Sequence, residues 1–373
     1  MSTDKFIKSL FVELINSVNN NYDDNYDHYR FGEAQEENKT GSLKRTFVSW
    51  INNQGFYNGF NNYLISTQVE NLDFPLTDFI YLYNNLEDQY SRDLLVKIVA
   101  YRVLGHKKVK LPLNTPEFWN NQDLIEANQS KYDVYPIDFM NIKLPLTDLG
   151  FLGLPIKLYH SSLGINTDFI IKQYELHRDN IQIEAEAGDI VIDGGGCHGD
   201  TALYFANKIG KSGKVIAFEF IDDNIKLFKR NIGMNPELAK LIELSDHPIW
   251  EDSGRSLYYL SKGPGSIVSA ETFDGYTGET TTISIDDYVE TNAVKKIDLI
   301  KLDIEGAEWN ALKGAIKTIK RFKPKIAAAL YHNTNDFDII PRFIKDLDLG
   351  YKFYLSHSTI FGEETMLFAK AEK

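Results

Sequence analysis

Two histidines, His332 and His357, and two acids separated by a single residue, Asp303 and Glu305, are the side chains whose types suit proton transfer. A neutral imidazole takes a proton near neutral pH, and a carboxylate can orient the ring or serve as the base itself. His332, in the Tyr331-His332 pair that closes an apolar run, is the first choice for a base; the plainer alternative is that it hydrogen-bonds a strand end. His357 has the same two readings. Asp303 and Glu305, with His332 or Asn333, also form an oxygen-rich set that a divalent cation could use to acidify a hydroxyl. They lack compact metal-ligand spacing, so the cation is not favoured and no metal ligand is assigned. Glu308, further along the same run, reads as an acid complementing a helix dipole.

A second group of residues is shaped to hold a ligand. In IVIDGGGCHGD (190–200) an apolar run ends at Asp193, then Gly194, Gly195, Gly196 and Gly199 crowd together before Asp200 and Thr201 open a helical pattern. Glycines so placed let the chain turn tightly and bring a ligand onto the main chain at a helix N-terminus, although a strand also meets a helix this way with no ligand present. The next apolar run, Val215-Ile216-Ala217-Phe218, ends in Glu219, about 20 residues after the glycines, the spacing at which a carboxylate accepts hydrogen bonds from ribose hydroxyls. Together they favour an adenosine-containing ligand. Cys197, inside the turn, has no evident base partner and reads as a small packed residue, not a nucleophile.

The elements that must position these groups alternate. Strand signals near 190–193, 215–219, 241–245, 298–303 and 325–331 are separated by helical patterns at 201–209, 223–232, 308–319 and 336–347, which implies a mostly parallel sheet covered on both faces. Tyr351–Ser356 and Thr365–Ala369 follow without a helix between them, so a terminal antiparallel pair is expected. In such a sheet ligands sit at the carboxyl ends of the strands, where Asp193, Glu219, Ser245, Asp246, Asp303, Glu305 and His332 all fall.

Residues 1–165 have a different texture. The stretches 16–26 and 52–63 are rich in Asn, Asp and Tyr, suited to loops and helix ends. A clear helix runs from an N-cap at Ser91 to a stop at Gly105, with Leu94, Leu95, Ile98, Val99 and Val103 near one face. Prolines between 110 and 165 leave no room for a long helix and point to a β-hairpin or irregular cap at 142–160, with Tyr159 near an acceptor. The expected organisation is a mainly helical region with a short hairpin cap over 1–165 and a Rossmann-like domain over 166–373.

Composition sets the outer bounds. The 373 residues are 43% apolar, enough for a domain plus an extension, and the net charge of −13 disfavours a nucleic-acid partner. One cysteine excludes an intrachain disulfide framework and fits a reducing compartment, and no apolar stretch reaches the length of a membrane span; a cytoplasmic location is expected.

The runs VIDGGGCHGDTALYFA (191–206), LIKLDIEGAE (299–308) and YHNTNDFDIIP (331–341), with His357 and the later Glu364-Thr365-Met366-Leu367-Phe368, resemble the FkbM family of S-adenosylmethionine-dependent methyltransferases. The resemblance covers about 170–370, LDIEGAE being its most specific element, and NNLEDQYSRDLLVKIVAYRVLG (84–105) is similar to a helical extension of some members. It implies an α/β class I Rossmann-like methyltransferase fold: a mostly parallel seven-stranded sheet with an antiparallel last strand. It further implies that Gly195 and Gly199 line the methionine and ribose of the cofactor, that Glu219 holds the ribose hydroxyls, and that Ser245 and Asp246 belong to the adenine-side loop. Phe220 departs from the proline common after that acid. The expected cofactor contacts are therefore Asp193, Gly194, Gly195, Gly196, Gly199, Asp200, Thr201, Glu219, Phe220, Ser245, Asp246 and Asp303; the expected catalytic residues are His332, Asp303, Glu305 and His357.

Methyl transfer is an in-line displacement, so the protein mainly aligns a nucleophile and excludes water. Leu302-Asp303-Ile304-Glu305 stands where base-modifying amino-methyltransferases carry an Asp/Asn-Pro-Pro-aromatic tetrapeptide, which favours O-methylation of a sugar or secondary-metabolite hydroxyl on a small-molecule or glycan acceptor. Two alternatives remain at this level. A NAD-dependent dehydrogenase would also use a glycine turn and a ribose acid, but expects a third glycine where Thr201 and Ala202 stand. A non-catalytic cofactor-binding scaffold would use the aromatic amino-terminal half to dock a partner.

Overall fold

Strands with apolar side chains on both faces can only be buried in the middle of a molecule, and here they form its central sheet. The computed structural model describes residues 3–28, 76–136, 144–260, 267–269 and 271–372. Strands β1 (Gln129–Tyr135), β2 (Leu144–Asp148) and β3 (Lys157–Tyr159) form a small antiparallel sheet, and β4 (Leu176–Arg178) and β5 (Ile181–Ile183) a hairpin. The central sheet contains β6 (Ile190–Gly194), β7 (Lys214–Phe218) and β8 (Ile242–Ser245), and later β12 (Leu299–Leu302), β13 (Lys325–Ala329), β14 (Tyr351–His357) and β15 (Thr365–Ala371). Between β8 and β12 lies a second antiparallel sheet of β9 (Ser256–Leu260), β10 (Ile267–Ser269) and β11 (Gly278–Thr281). The central order is β14-β15-β13-β12-β6-β7-β8, with β15 antiparallel to both neighbours, as the terminal strand pair predicts. Leu302 pairs with Gly194 and Gly194 with Phe218, so the carboxyl ends of β12, β6 and β7 finish level and form one edge.

Alternation along each strand divides the core. Ile192, Ile216, Ile300, Leu302 and Ile326 face one layer, and Val191, Val215, Ala217, Leu299 and Ala327 the other. The first layer is filled from helices α1 (Thr3–Ser17), α2 (Leu76–Asn85) and α3 (Gln89–Leu104), whose Phe6, Leu10, Phe79, Leu82, Leu95 and Ile98 are buried. After α4 (Pro116–Asn128), the second layer is filled largely by α5 (Asp200–Ile209) through Leu203, Phe205 and Ala206. Helices α6 (Asp222–Gly233), α7 (Ile285–Thr291), α8 (Glu308–Lys313), α9 (Ile316–Phe322) and α10 (Asp336–Asp346) complete the alternation. No helix among the described residues is long and apolar enough to cross a membrane.

Three local expectations are corrected. The N-cap of α3 is Asp88, whose carboxylate accepts from the Ser91 N–H at 2.6 Å; the helix begins nearly a turn earlier than Ser91 suggests. A 13-residue helix, α4, does fit between 110 and 165, because Pro116 occupies its first turn, where no N–H is needed, behind the Thr115 cap. The pattern at 308–319 is two helices, since the Asp286 carboxylate of α7 accepts from the N–H groups of Lys317 and Thr318 and so starts α9 afresh. The stretch 52–63, and Ile142 and Lys143 of the expected hairpin, lie outside the described residues.

Ser91 has a different task. Its buried hydroxyl accepts from the Arg178 guanidinium at 3.0 Å and from the Leu355 N–H at 2.9 Å, clipping α3 to β14. Ser91→Ala leaves both donors without this acceptor and is expected to cost about 1–3 kcal/mol in urea denaturation; an unchanged midpoint would show that the clip is inert.

Candidate functional site

The turn after β6 is built mainly to satisfy the protein itself. Gly195 has φ +84°, and a Cβ there would lie 2.0 Å from the Asp303 carbonyl oxygen, so no other residue allows the β6 and β12 ends to come this close. The N–H groups of Gly195 and Gly196 both donate to the Phe218 carbonyl, at 3.1 and 2.8 Å. Gly199 leads into α5 and supplies no side-chain cap. Cys197 is held at φ +40°, and burial, then Asp200 and Glu219, push its thiol well above the usual range, consistent with an unreactive packed residue.

Beneath the turn lies a charged pair that the sequence reading missed. Lys301, buried in β12 opposite Asp193, places its Nζ 3.0 Å from Asp193 Oδ1 and donates to the carbonyls of Gly194 and Gly195 at 3.0 and 2.8 Å. Thr201 donates to the other Asp193 oxygen at 2.7 Å. Asp193 and Thr201 are thus turned inward and fix the turn. The available signal was a lone lysine within Leu299-Ile300-Lys301-Leu302: an ammonium in a strand buried on both faces requires an anion nearby.

At the end of β7, Glu219 Oε1 accepts from the N–H groups of Phe220 and Ile221 at 2.7 Å each, Oε2 accepts from the Asn224 amide at 3.2 Å, and the Cys197 N–H also favours the carboxylate. Burial pushes this carboxyl up to about 7 against those hydrogen bonds. Phe220 meets Tyr259 of β9 edge-on, with ring centroids 5.4 Å apart. The Ser245 carbonyl accepts the Glu219 N–H at 3.1 Å, and Asp246 follows it, exposed.

The third part of the edge is an acid cluster after β12 and β13. Asp303 accepts from the Tyr174 and Tyr331 hydroxyls at 2.8 and 2.9 Å. His332 Nε2 lies 3.5 Å from both Asp303 Oδ1 and Glu305 Oε2, and Nδ1 lies 2.9 Å from Glu308 Oε1. Glu308 does stand in the first turn of α8, yet it is fully buried and also accepts the Ile304 N–H at 2.8 Å; its role extends beyond complementing the helix dipole. Burial works to lower the His332 pKa, but Glu308, Asp303 and Glu305 together carry it up to about 10, so the ring is an imidazolium at neutral pH. Glu305 moves up to about 8 through burial, with Asp303 and Glu364 adding to the shift and His332 opposing it. Its side chain is still 43% exposed. Glu305 and Glu364 adopt φ of +57° and +64°, strained values for non-glycine residues of the kind that cluster at working sites.

His357 does not join this cluster. It ends β14, the outer neighbour of β15, with Nδ1 2.9 Å from Thr365 Oγ1, about 10 Å across two strand spacings from β13. Tyr159 likewise turns away from a cleft: its hydroxyl donates to Asp133 and accepts from Arg230, and its N–H donates to Asn231 of α6. Asp303, Glu308 and His332 present ligand atoms within 4.8 Å of one another, but Glu308 is engaged by two donors, and the cation these carboxylates surround is the imidazolium itself.

The seven-stranded order with an antiparallel β15, the glycine turn after β6 and the acid after β7 define a class I Rossmann-like methyltransferase fold. Within that class, residues 193–353 match the methyltransferase FkbM domain. The crystal structure of methyltransferase FkbM from Methylobacillus flagellatus KT is similar over 89% of this chain and 72% of that one, with a TM-score of 0.50 at 17% identity. Fibrillarin from Aeropyrum pernix, in complex with natively bound S-adenosyl-L-methionine, matches over 64% of this chain and 97% of its own (TM-score 0.36, 14% identity). An O-methyltransferase from Bacillus cereus in complex with SAH matches over 70% and 93% (TM-score 0.32, 12% identity). No curated protein matches by sequence.

Proposed function

We propose that the chain binds S-adenosylmethionine at the carboxyl ends of β6, β7, β8 and β12 and methylates a hydroxyl of a sugar or secondary metabolite. The observation carrying this reading is the excess of acid around His332. Asp303, Glu305 and Glu308 surround one imidazolium and Glu364 lies beside Glu305, an acid-rich edge that suits a cationic sulfonium and disfavours the pyrophosphate of a nicotinamide dinucleotide.

The residues fit this cofactor. The first turn of α5 has no side-chain cap and suits a carboxylate. Glu219 Oε2, which accepts from Asn224, keeps acceptor capacity for ribose hydroxyls, and Phe220, Ser245 and Asp246 stand beside it on the adenine side. Bound there, the cofactor supplies an electrophilic methyl group. An imidazolium has no lone pair with which to take a proton, so the role of base passes from His332 to Glu305. In the displacement, which would break the methyl–sulfur bond and leave S-adenosylhomocysteine, the acceptor hydroxyl's proton would pass to the Glu305 carboxylate. His332 and Asp303 orient that carboxylate, Asp303 itself being fixed by two tyrosines.

Binding of S-adenosylhomocysteine tests the reading. At a hundredfold excess over Kd it is expected to stabilise the protein by about 2.7 kcal/mol, seen as a rise in Tm that NAD does not produce; stabilisation by NAD alone would overturn the assignment.

A further inference from the structure

Four ionisable side chains from three separate segments converge at the start of α5, away from the Asp303 cluster in sequence and in partners. His160 follows β3, Asp168 stands in the helical turn Asn166–Ile171, His198 belongs to the glycine turn, and Asp200 opens α5. His160 Nε2 lies 3.3 Å from Asp168 Oδ2 and 3.8 Å from Asp200 Oδ2. The two imidazoles cross at 83° with centroids 6.3 Å apart, and His160, His198 and Asp200 offer ligand atoms all within 4.8 Å of one another.

Two facts make this more than a buried ion pair. His198 is 3% exposed, yet neither ring nitrogen has a hydrogen-bond partner; the Asn224 amide, already donating to Glu219, approaches without completing one. Asp200 Oδ1 and His160 Nδ1 are buried and unpartnered as well. Orphaned polar atoms of this kind cost about 1–3 kcal/mol each unless something fills them. Second, the surroundings hold these side chains in place. Gln173 donates to the outer oxygen of Asp168 at 2.7 Å, and Asn231 anchors the His198 carbonyl at 2.9 Å. Gly164 leaves the room His160 occupies, for a Cβ there would fall 2.1 Å from Nε2.

We propose that His160, His198 and Asp200, with Asp168 as fourth group, form a binding site for a divalent transition-metal ion, zinc by its chemistry, that pins the β1–β3 sheet to the glycine turn. A tetrahedral centre with bonds of about 2.1 Å spaces its ligands roughly 3.4 Å apart, close to the His160 to Asp168 and Asp200 separations, and closing the set requires the Asp168 and His198 side chains to rotate toward the ion. Two imidazoles with carboxylates suit zinc, and four protein ligands, three of them buried and His160 partly so, describe a structural ion. A dication also offsets the mutual repulsion of two buried aspartates.

The full chain, stripped with a chelator and dialysed, is titrated with zinc chloride by calorimetry and with cobalt(II) chloride by visible absorption. One ion per chain and the absorption of tetrahedral cobalt(II) are expected, without added cofactor. His198→Leu is expected to lower zinc affinity by more than the roughly 100-fold typical of losing an outer-shell partner, whereas His177→Asn and His332→Asn, in two other histidine-acid groups among the described residues, keep it. The cobalt spectrum of the unaltered chain decides the matter even if His198→Leu fails to fold. No bound ion, an octahedral spectrum, or loss of the ion in His177→Asn or His332→Asn with retention in His198→Leu would overturn the proposal.

Discussion

Lys301→Met is expected to destabilise the protein by about 3–5 kcal/mol, the usual cost of removing one partner from a buried ion pair. The methionine fills most of the volume, so the loss is electrostatic: Asp193 loses its counter-ion and keeps only the Thr201 hydrogen bond, and the Gly194 and Gly195 carbonyls lose their donor. Urea denaturation measures the loss, and a change below about 1 kcal/mol would show that the ammonium is dispensable. Adding Asp193→Asn removes the stranded acid while keeping an acceptor for Thr201, so the double variant should recover part of the stability; this coupling is the signature of a pair, in place of two independent sites. Because the same lysine holds the turn that leads into α5, affinity for S-adenosylhomocysteine should fall along with stability in the single variant.

Lys301 also marks where the sequence stops being legible. Periodicity and turn residues are local, and they locate β6, β7, β8, β12 and β13, the terminal pair β14 and β15, and hence the edge on which Glu219, Asp303 and Glu305 stand. Whether a polar residue on that edge faces the cleft or the core is decided by neighbours distant in sequence. Asp193 is drawn inward by Lys301, more than a hundred residues away, and Glu308 is drawn onto His332. Tyr174, which fixes Asp303, comes from a segment preceding the first central strand and carries no local signal at all. The small sheet β9–β11 escaped notice for a related reason: β10 is three residues long and β11 (Gly278–Thr281) is polar, so pairing with β9 defines them more than an apolar face does. At Ser91 the residue was right and the role wrong, since Asp88 suits an N-cap as well and tertiary contact with Arg178 and Leu355 claims the serine.

The glycines teach the converse. Gly194, Gly195, Gly196 and Gly199 were read as room for a ligand, but a Cβ at any of them meets protein, from the Asp303 carbonyl to the Phe228 ring. The motif is recognisable in sequence because it packs β6, β7, β12 and α6 together. The surface it leaves for the proposed cofactor is the uncapped first turn of α5.

Glu305→Gln is expected to lower kcat by about 10²–10⁴-fold, the contribution typical of a positioned general base, while leaving the Kd for S-adenosylhomocysteine within a few-fold. The amide keeps the shape and the contact with His332 and removes the proton acceptor. The pH profile separates this from a loss of positioning. A carboxylate raised to about 8 must be ionised to work, so kcat/KM of the unaltered enzyme should fall about tenfold for each pH unit below that value, and the limb should vanish in Glu305→Gln. His332 supplies a further check whose sign is fixed by its charge. Its imidazolium, held protonated up to about pH 10, lowers the Glu305 pKa, so His332→Asn removes a favourable cation and should move the rising limb to higher pH while retaining activity at its top. If His332 were the base, its replacement would instead abolish turnover at every pH and Glu305→Gln would leave the limb in place.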